Sequence, residues 1–288
     1  MADKFSTANP QYRDSVFRDF FNDKVRLLSL CNALLDTDYK DPNLIEINTL
    51  EGNFFSGQKN DISCKIGNNF LVLVEHQTSI NPNMAFRCLT YVAQLLNNLV
   101  TSKDELYQNE LLLFPEPQCF VFYDGEKNEP LTKNIRLSDS FYQSRQRLEL
   151  IVTSFNINFG LNQPLLKKCS HLNDYSTLVG RVKFGIKNKL SRRQAIIQAI
   201  DWCIAHNVMK DYLTEKRNEV FSMLDFQWDL DEAKIAWQKQ GENKGRAEER
   251  DSIALNMLRE GLPFEQIQKF TTLSLEKIKE LAKMKVDS

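Results

Sequence analysis

Two acidic residues and an amide sit together in a strand pair that is otherwise apolar. The run Asn60-Asp61-Ile62-Ser63-Cys64-Lys65-Ile66 is followed by Gly67-Asn68-Asn69 and then by Phe70-Leu71-Val72-Leu73-Val74-Glu75-His76-Gln77. Side chains alternate along a strand, so Glu75 and Gln77 share one face and His76 points to the other. Gly and Asn tolerate positive φ, which makes Gly67 to Asn69 good hairpin-turn chemistry. A hairpin closed there lays the start of one strand beside the end of the next, bringing Asp61 near Glu75 and Gln77. Two carboxylates meeting in apolar surroundings repel each other and lose hydration, and a hard divalent cation between them resolves both problems. Magnesium held by Asp61, Glu75 and the backbone carbonyl of His76 would keep several waters, polarise a phosphate oxygen and acidify an attacking water. The chemistry implied is phosphodiester hydrolysis.

The surrounding elements must hold that hairpin end in place. Apolar residues from Asp14 to Leu35 recur at helical spacing and predict one or two helices. Leu44 to Leu50, Asp61 to Ile66 and Phe70 to Gln77 read as strands. Asn81-Pro82-Asn83 breaks the chain, and Met84 to Val100 resumes a helical period. Cys119 to Tyr123 and Leu148 to Phe155 read as buried strands, the first ending at the turn signal Asp124-Gly125. After Gly160 strand signals cease, and Leu165 to Trp237 reads as helices. The order α-β-β-β-α-β-β followed by α predicts an α/β fold with a mixed sheet flanked by helices, then a helical region.

The chain has 288 residues, which suggests one large domain plus an appendage. We place the main domain at 1–237, a charged linker or helix at 238–250 and a small helical unit at 251–288. With 42% hydrophobic and 26% charged residues the composition is that of a soluble globular protein. A formal net charge of -1 gives no global attraction to polyanions, so a nucleic-acid surface must come from local clustering. One such cluster runs from Lys167 to Arg193, where Lys183 and Lys187 are among eight basic residues against the single acid Asp174. The six cysteines have no close pairing, and the start of the chain lacks a basic stretch followed by an apolar one. Together with the absence of any apolar run near the roughly 18 residues that a membrane span needs, this predicts a cytoplasmic protein that avoids the membrane. The three histidines are far apart and lack zinc-site partners, and no P-loop, G-x-G-x-x-G or G-x-S-x-G stretch is present, which weighs against NTPase, dinucleotide and α/β-hydrolase chemistry.

Asp61 with Glu75-x-Gln77 resembles the recombination-promoting nuclease / putative transposase family of the PD-(D/E)XK nuclease superfamily. That family also opens with an Asp-x-x-Phe-Lys-like helix, which Asp14-Ser15-Val16-Phe17-Arg18 matches, and carries Arg and Tyr one turn apart after the Glu-x-Gln strand, which Arg87 and Tyr91 match. The resemblance covers roughly Tyr12 to Trp237. It implies a restriction-endonuclease-like fold, a DNA substrate and magnesium, with manganese as the alternative ion. It adds Asp14 to Asp61, Glu75 and Gln77 as catalytic, and Arg87 and Tyr91 as phosphate-holding residues. Gln77 stands where the superfamily usually has Lys; a neutral amide can orient water or phosphate but adds no charge and takes no proton.

The expectation is therefore a magnesium-dependent endodeoxyribonuclease, a hydrolase tied to DNA recombination or mobile elements. The rival is a catalytically weak or inactive DNA-binding or assembly protein on the same fold. The C-terminal stretch from Pro263 to Ile278 has a helix-turn-helix rhythm, but its second helix carries Glu276 and Glu280 beside Lys277 and Lys279. Helical packing or homo-oligomerisation suits it better than groove reading.

Overall fold

A computed structural model describes residues 16–48, 61–143, 145 and 147–284. Contacts divide the chain into two units, 1–227 and 228–288.

In the first unit, a six-stranded mixed sheet has the order β1-β2-β3-β4-β6-β5. Its strands are β1 (Ile45–Ile47), β2 (Ile62–Ile66), β3 (Phe70–Gln77), β4 (Glu116–Tyr123), β5 (Thr132–Arg136) and β6 (Ile151–Asn156). β1, β2 and β3 form an antiparallel meander, while β3, β4 and β6 run parallel. The β2–β3 turn forms as its residues demand: Gly67 adopts φ 51° and the Asn69 N–H donates to the Ile66 carbonyl at 3.1 Å. A parallel neighbour cannot be reached by a tight turn, and the crossover from β3 to β4 carries α3 (Met84–Leu99).

The two faces of β3 are covered differently. Leu71 and Leu73 join Cys119, Val121 and Val152 of the neighbouring strands under Met84, Ala85, Cys88, Val92 and Leu95 of α3. On the opposite face lie α1 (Val16–Phe21) and α2 (Lys24–Leu35), followed in sequence by α4 (Pro164–Lys168), α5 (Ser170–Lys187), α6 (Arg192–Ala205) and α7 (Lys210–Glu215) in the rest of this unit. Phe17 of α1 packs edge-on to Phe122 and Tyr175, and Cys31 of α2 meets Cys64 of β2 at 3.6 Å. All six cysteines are free and buried. Local capping fixes helix starts: Asp23 accepts from the N–H groups of Val25 and Arg26, and Ser191 with Gln194 forms a capping box at α6.

Several expectations need correction. β2 begins at Ile62, leaving Asp61 in a bend just before it. β1 ends at Ile47, and positions 49 and 50 of the expected strand lie outside the described residues. β6 begins at Ile151 rather than Leu148. β5 went unpredicted because Thr132-Lys133-Asn134-Ile135-Arg136 is an exposed edge strand with no apolar alternation to betray it. Of the two forms expected for 238–250, linker or helix, the structure has the helix: the stretch lies inside α8 (Arg217–Arg259).

In the second unit, α9 (Phe264–Thr271) and α10 (Leu275–Met284) pack with the end of α8 through Ala254, Leu258, Ile267, Ile278 and Leu281. Gly261 ends α8 at φ 78°, and the Leu262 N–H reaches back to the Met257 carbonyl at 3.1 Å, the bond that closes a left-handed helix cap. Among the described residues no helix is long and apolar enough to cross a membrane.

Candidate metal centre

Pairing between β2 and β3 sets Ile62 opposite Val74 and Ile66 opposite Phe70. The pairing stops there; continued by one step it would set Asp61 opposite Glu75. Facing residues of an antiparallel pair share a sheet face with Cβ atoms roughly 5 Å apart. The bend that takes Asp61 out of β2 does not take it away from β3, because its Oδ2 accepts the His76 backbone N–H at 2.7 Å. Glu75 is 5% exposed. Its Oε2 accepts from Arg87 Nη2 at 3.0 Å, whereas its Oε1 is buried with no partner. Arg87 Nη2 also donates to the Tyr91 hydroxyl at 3.1 Å, while Arg87 Nε is buried and unpartnered. Gln77 Nε2 faces the Met84 thioether at 2.8 Å, a weak acceptor for an amide.

Burial and neighbouring charge set the titration of this cluster. Burial, reinforced by the Asp61 carboxylate, pushes Glu75 from 4.5 up to about 8. Burial also raises Asp61, against the opposing pull of the His76 N–H and of Arg87 and Arg18. Arg87 and Arg18 offset the two desolvated carboxylates only in part, so the Glu75 carboxyl stays above its ordinary value. Beside Asp61 opens a cavity of about 100 Å³ whose lining includes Arg18, Asp19, Asn22 and Ser63. It has room for several waters.

His76 takes the opposite face, as strand alternation dictates. Its Nε2 lies 3.2 Å from Asp124 Oδ2 and 3.2 Å from the Tyr175 hydroxyl, and its ring stacks on Phe17 at 5.4 Å. Lys183 completes this buried group by donating to the Asp124 carbonyl and to Asn158 Oδ1, with Asp124 Oδ2 at 3.8 Å. Here cations outnumber the carboxylate. His76 is held above its usual value by Asp124 despite the opposing effect of burial, and Asp124 is held below its own by His76 and Lys183 although burial alone would raise it.

The structure thus gathers Asp61, Glu75, Gln77, Arg87 and Tyr91 at one end of β3 under the start of α3. Asp14 lies outside the described residues. Lys183, expected to face a phosphate backbone, instead sits in the buried His76 network on the other face of β3. Much of the basic run from Lys167 to Arg193 is likewise engaged within the protein. Lys168 pairs with Asp36 at 2.8 Å, Arg192 with Asp225 at 2.8 Å, and Arg181 lies 3.4 Å over the Trp202 ring. Lys187 is exposed in the last turn of α5. Among the described residues no group of three or more His, Cys, Asp or Glu side chains converges to hold a metal ion. A two-carboxylate set still suits magnesium, which binds through one or two carboxylates and keeps its remaining waters. Sequence reasoning missed two features: the Arg87 partnership with Glu75, and the Asp124 anchor for His76, because Asp124-Gly125 reads only as a turn.

The family described as "Putative transposase, YhgA-like" matches residues 11–160. The chain belongs to this family. The matched span contains the whole sheet, both carboxylates, and the helix that carries Arg87 and Tyr91. Comparison with curated proteins and with solved structures finds no significant match. The mixed sheet flanked by helices and followed by a helical region is consistent with an α/β nuclease-like fold.

Proposed function

We propose that this transposase-like protein is a magnesium-dependent endonuclease that hydrolyses phosphodiester bonds of DNA during recombination or mobile-element processing. One observation carries the reading: Asp61 borders the end of β3, where its Oδ2 takes the His76 N–H and its charge acts on Glu75, and the buried Oε1 of Glu75 has no partner. A carboxylate oxygen left orphaned beside a second acid costs stability unless a cation joins it. In the proposed site Asp61, Glu75 and the His76 backbone carbonyl hold the ion. When bound, magnesium supplies Lewis-acid polarisation of a phosphate oxygen and a water acidic enough to attack it. In this reading Asp14 assists the metal or its water, Gln77 orients water or the scissile phosphate, and Arg87 and Tyr91 hold the phosphate, with Lys187 on the DNA backbone.

Nicking of supercoiled plasmid by the full chain in Mg2+ or Mn2+, compared with Asp61→Ala and Glu75→Ala, tests the proposal. Each variant is expected to lose at least about a hundredfold in rate, because a catalytic metal contributes several kcal/mol to the transition state. Equal nicking by all three proteins would reject it.

A second reading, DNA binding without efficient cleavage, draws on the ion pair between Arg87 and Glu75 and on the neutral amide of Gln77, which brings no charge to the reaction. It predicts DNA retention unaffected by divalent ions. Gln77→Lys separates the two readings: a large gain in cleavage would mark a sound site that the amide weakens.

A further inference from the structure

Three polar atoms at the end of β3 are poorly satisfied, and their signs are complementary. Glu75 Oε1 is a buried acceptor without a donor, Arg87 Nε is a buried donor without an acceptor, and the Gln77 amide spends its N–H on a thioether. Buried polar groups rarely stay unpaired unless something else is meant to meet them. No single ion meets all three. A cation satisfies Glu75 and worsens the surroundings of Arg87; an oxyanion satisfies Arg87 and Gln77 and worsens those of Glu75. A cation and an oxyanion bound side by side satisfy the whole set.

We propose that Arg87 is an exchangeable counter-ion: it neutralises Glu75 while the site is free of metal, and turns to the phosphodiester oxyanion once a divalent cation takes Glu75. The proposal rests on the endonuclease reading and deepens it by naming how the two ligands are coupled. The guanidinium is suited to the exchange. It touches Glu75 through Nη2 alone, so the pair is not the two-bond fork that would lock it. Its Cζ lies 5.9 Å from the Tyr91 ring centroid and Nη2 reaches the Tyr91 hydroxyl, so a rotation about that ring keeps one partner while changing the other. Met84 Sδ, 3.4 Å from Nη1, is a weak competitor for the released N–H. Metal and phosphate should then bind cooperatively, each relieving the conflict that the other would create.

The test is a pair of binding measurements on the full chain with opposite expected signs. Mn2+ is titrated by calorimetry without DNA, and a fluorescent DNA duplex is titrated in Ca2+ and in EDTA. Arg87→Met keeps the buried stem and removes the charge. It is expected to bind Mn2+ at least about fivefold tighter, because the resident competitor is gone, and the duplex in Ca2+ at least about fivefold weaker, the lower end of ordinary coupling between sites. Wild type should bind the duplex tighter in Ca2+ than in EDTA, and the variant should lose that difference. Arg87→Lys serves if Arg87→Met fails to fold; it retains the charge without the fork and should keep Mn2+ binding within a few-fold while weakening the duplex. Mn2+ binding that is unchanged or weaker in Arg87→Met, or in Arg87→Lys a duplex affinity that equals wild type, would overturn the exchange while leaving the metal site standing. No Mn2+ binding by wild type would overturn both the exchange and the endonuclease reading.

Discussion

The last residues of β3 serve two buried charge clusters on opposite faces of one sheet, and the clusters differ in sign. On the His76 face Asp124 is fully enclosed, yet its carboxyl is held below its ordinary value because His76 and Lys183 surround it. On the Glu75 face Arg87 meets Glu75 beside a second buried carboxylate, and Glu75 rises to about 8. Each face leaves a carboxylate oxygen unpartnered, Asp124 Oδ1 on one and Glu75 Oε1 on the other. Burial is nearly the same; the balance of neighbouring charge is not. A cluster whose carboxylate is outnumbered by cations holds a fold together, whereas the one short of positive charge is where we propose that a cation binds. The two are joined through one residue. The His76 ring is clamped by Asp124 and Tyr175, while its backbone N–H steadies Asp61.

This contrast can be broken most forcefully at Asp124. Asp124→Ala leaves a buried imidazole and a lysine without their carboxylate, and about 3–5 kcal/mol of stability should be lost in urea denaturation at pH 7. A loss under about 1 kcal/mol would mean that the His76 cluster is not structural.

The faces should also respond to pH in opposite directions. The folded state raises the Glu75 value above that of the unfolded chain, so its contribution is fully present below about pH 4.5 and lost as pH climbs through about 8. Asp124 is depressed, so its contribution is present above its unfolded value and lost on acidification. Glu75→Gln should therefore remove a decline of a few kcal/mol that wild type shows between pH 5 and 8 in metal-free denaturation, a size set by the rise from 4.5 to about 8. Parallel curves for the two proteins would contradict the raised Glu75 value.

Two smaller effects separate the partly buried Lys183 from the exposed Lys187. Lys183→Met strands the Asp124 carbonyl and Asn158 and should cost about 1–3 kcal/mol of stability. Lys187→Ala should change stability by less than about 0.5 kcal/mol. In duplex titrations it should instead lower the salt slope of binding by about one. An unchanged slope would remove Lys187 from the DNA surface.

The hairpin, the helix after it and the meeting of Asp61 with Glu75 were legible in the sequence because they depend on local rules: alternation in β3, a Gly-Asn-Asn turn, and helical spacing after Pro82. Strand alternation also placed His76 on the far face. What stayed hidden depends on long-range contacts. Asp124 reads as a turn residue until the parallel pairing of β3 with β4 brings it beside His76, and Lys183, many residues later, is recruited to the same spot by α5. The basic run from Lys167 to Arg193 looked like a phosphate-binding strip because sequence counts charges without their partners, Asp36, Asp225 and Asp124 among them. β5 escaped because an exposed edge strand needs no apolar pattern.

The proposed cation site needs both Asp61 and Glu75. Calorimetric titration of the full chain with Mg2+ at pH 8, for wild type and for Asp61→Asn, tests it most directly. Saturable binding to a single site in wild type that disappears in a folded Asp61→Asn is the predicted result. No binding by wild type, or the same isotherm in both proteins, would contradict it.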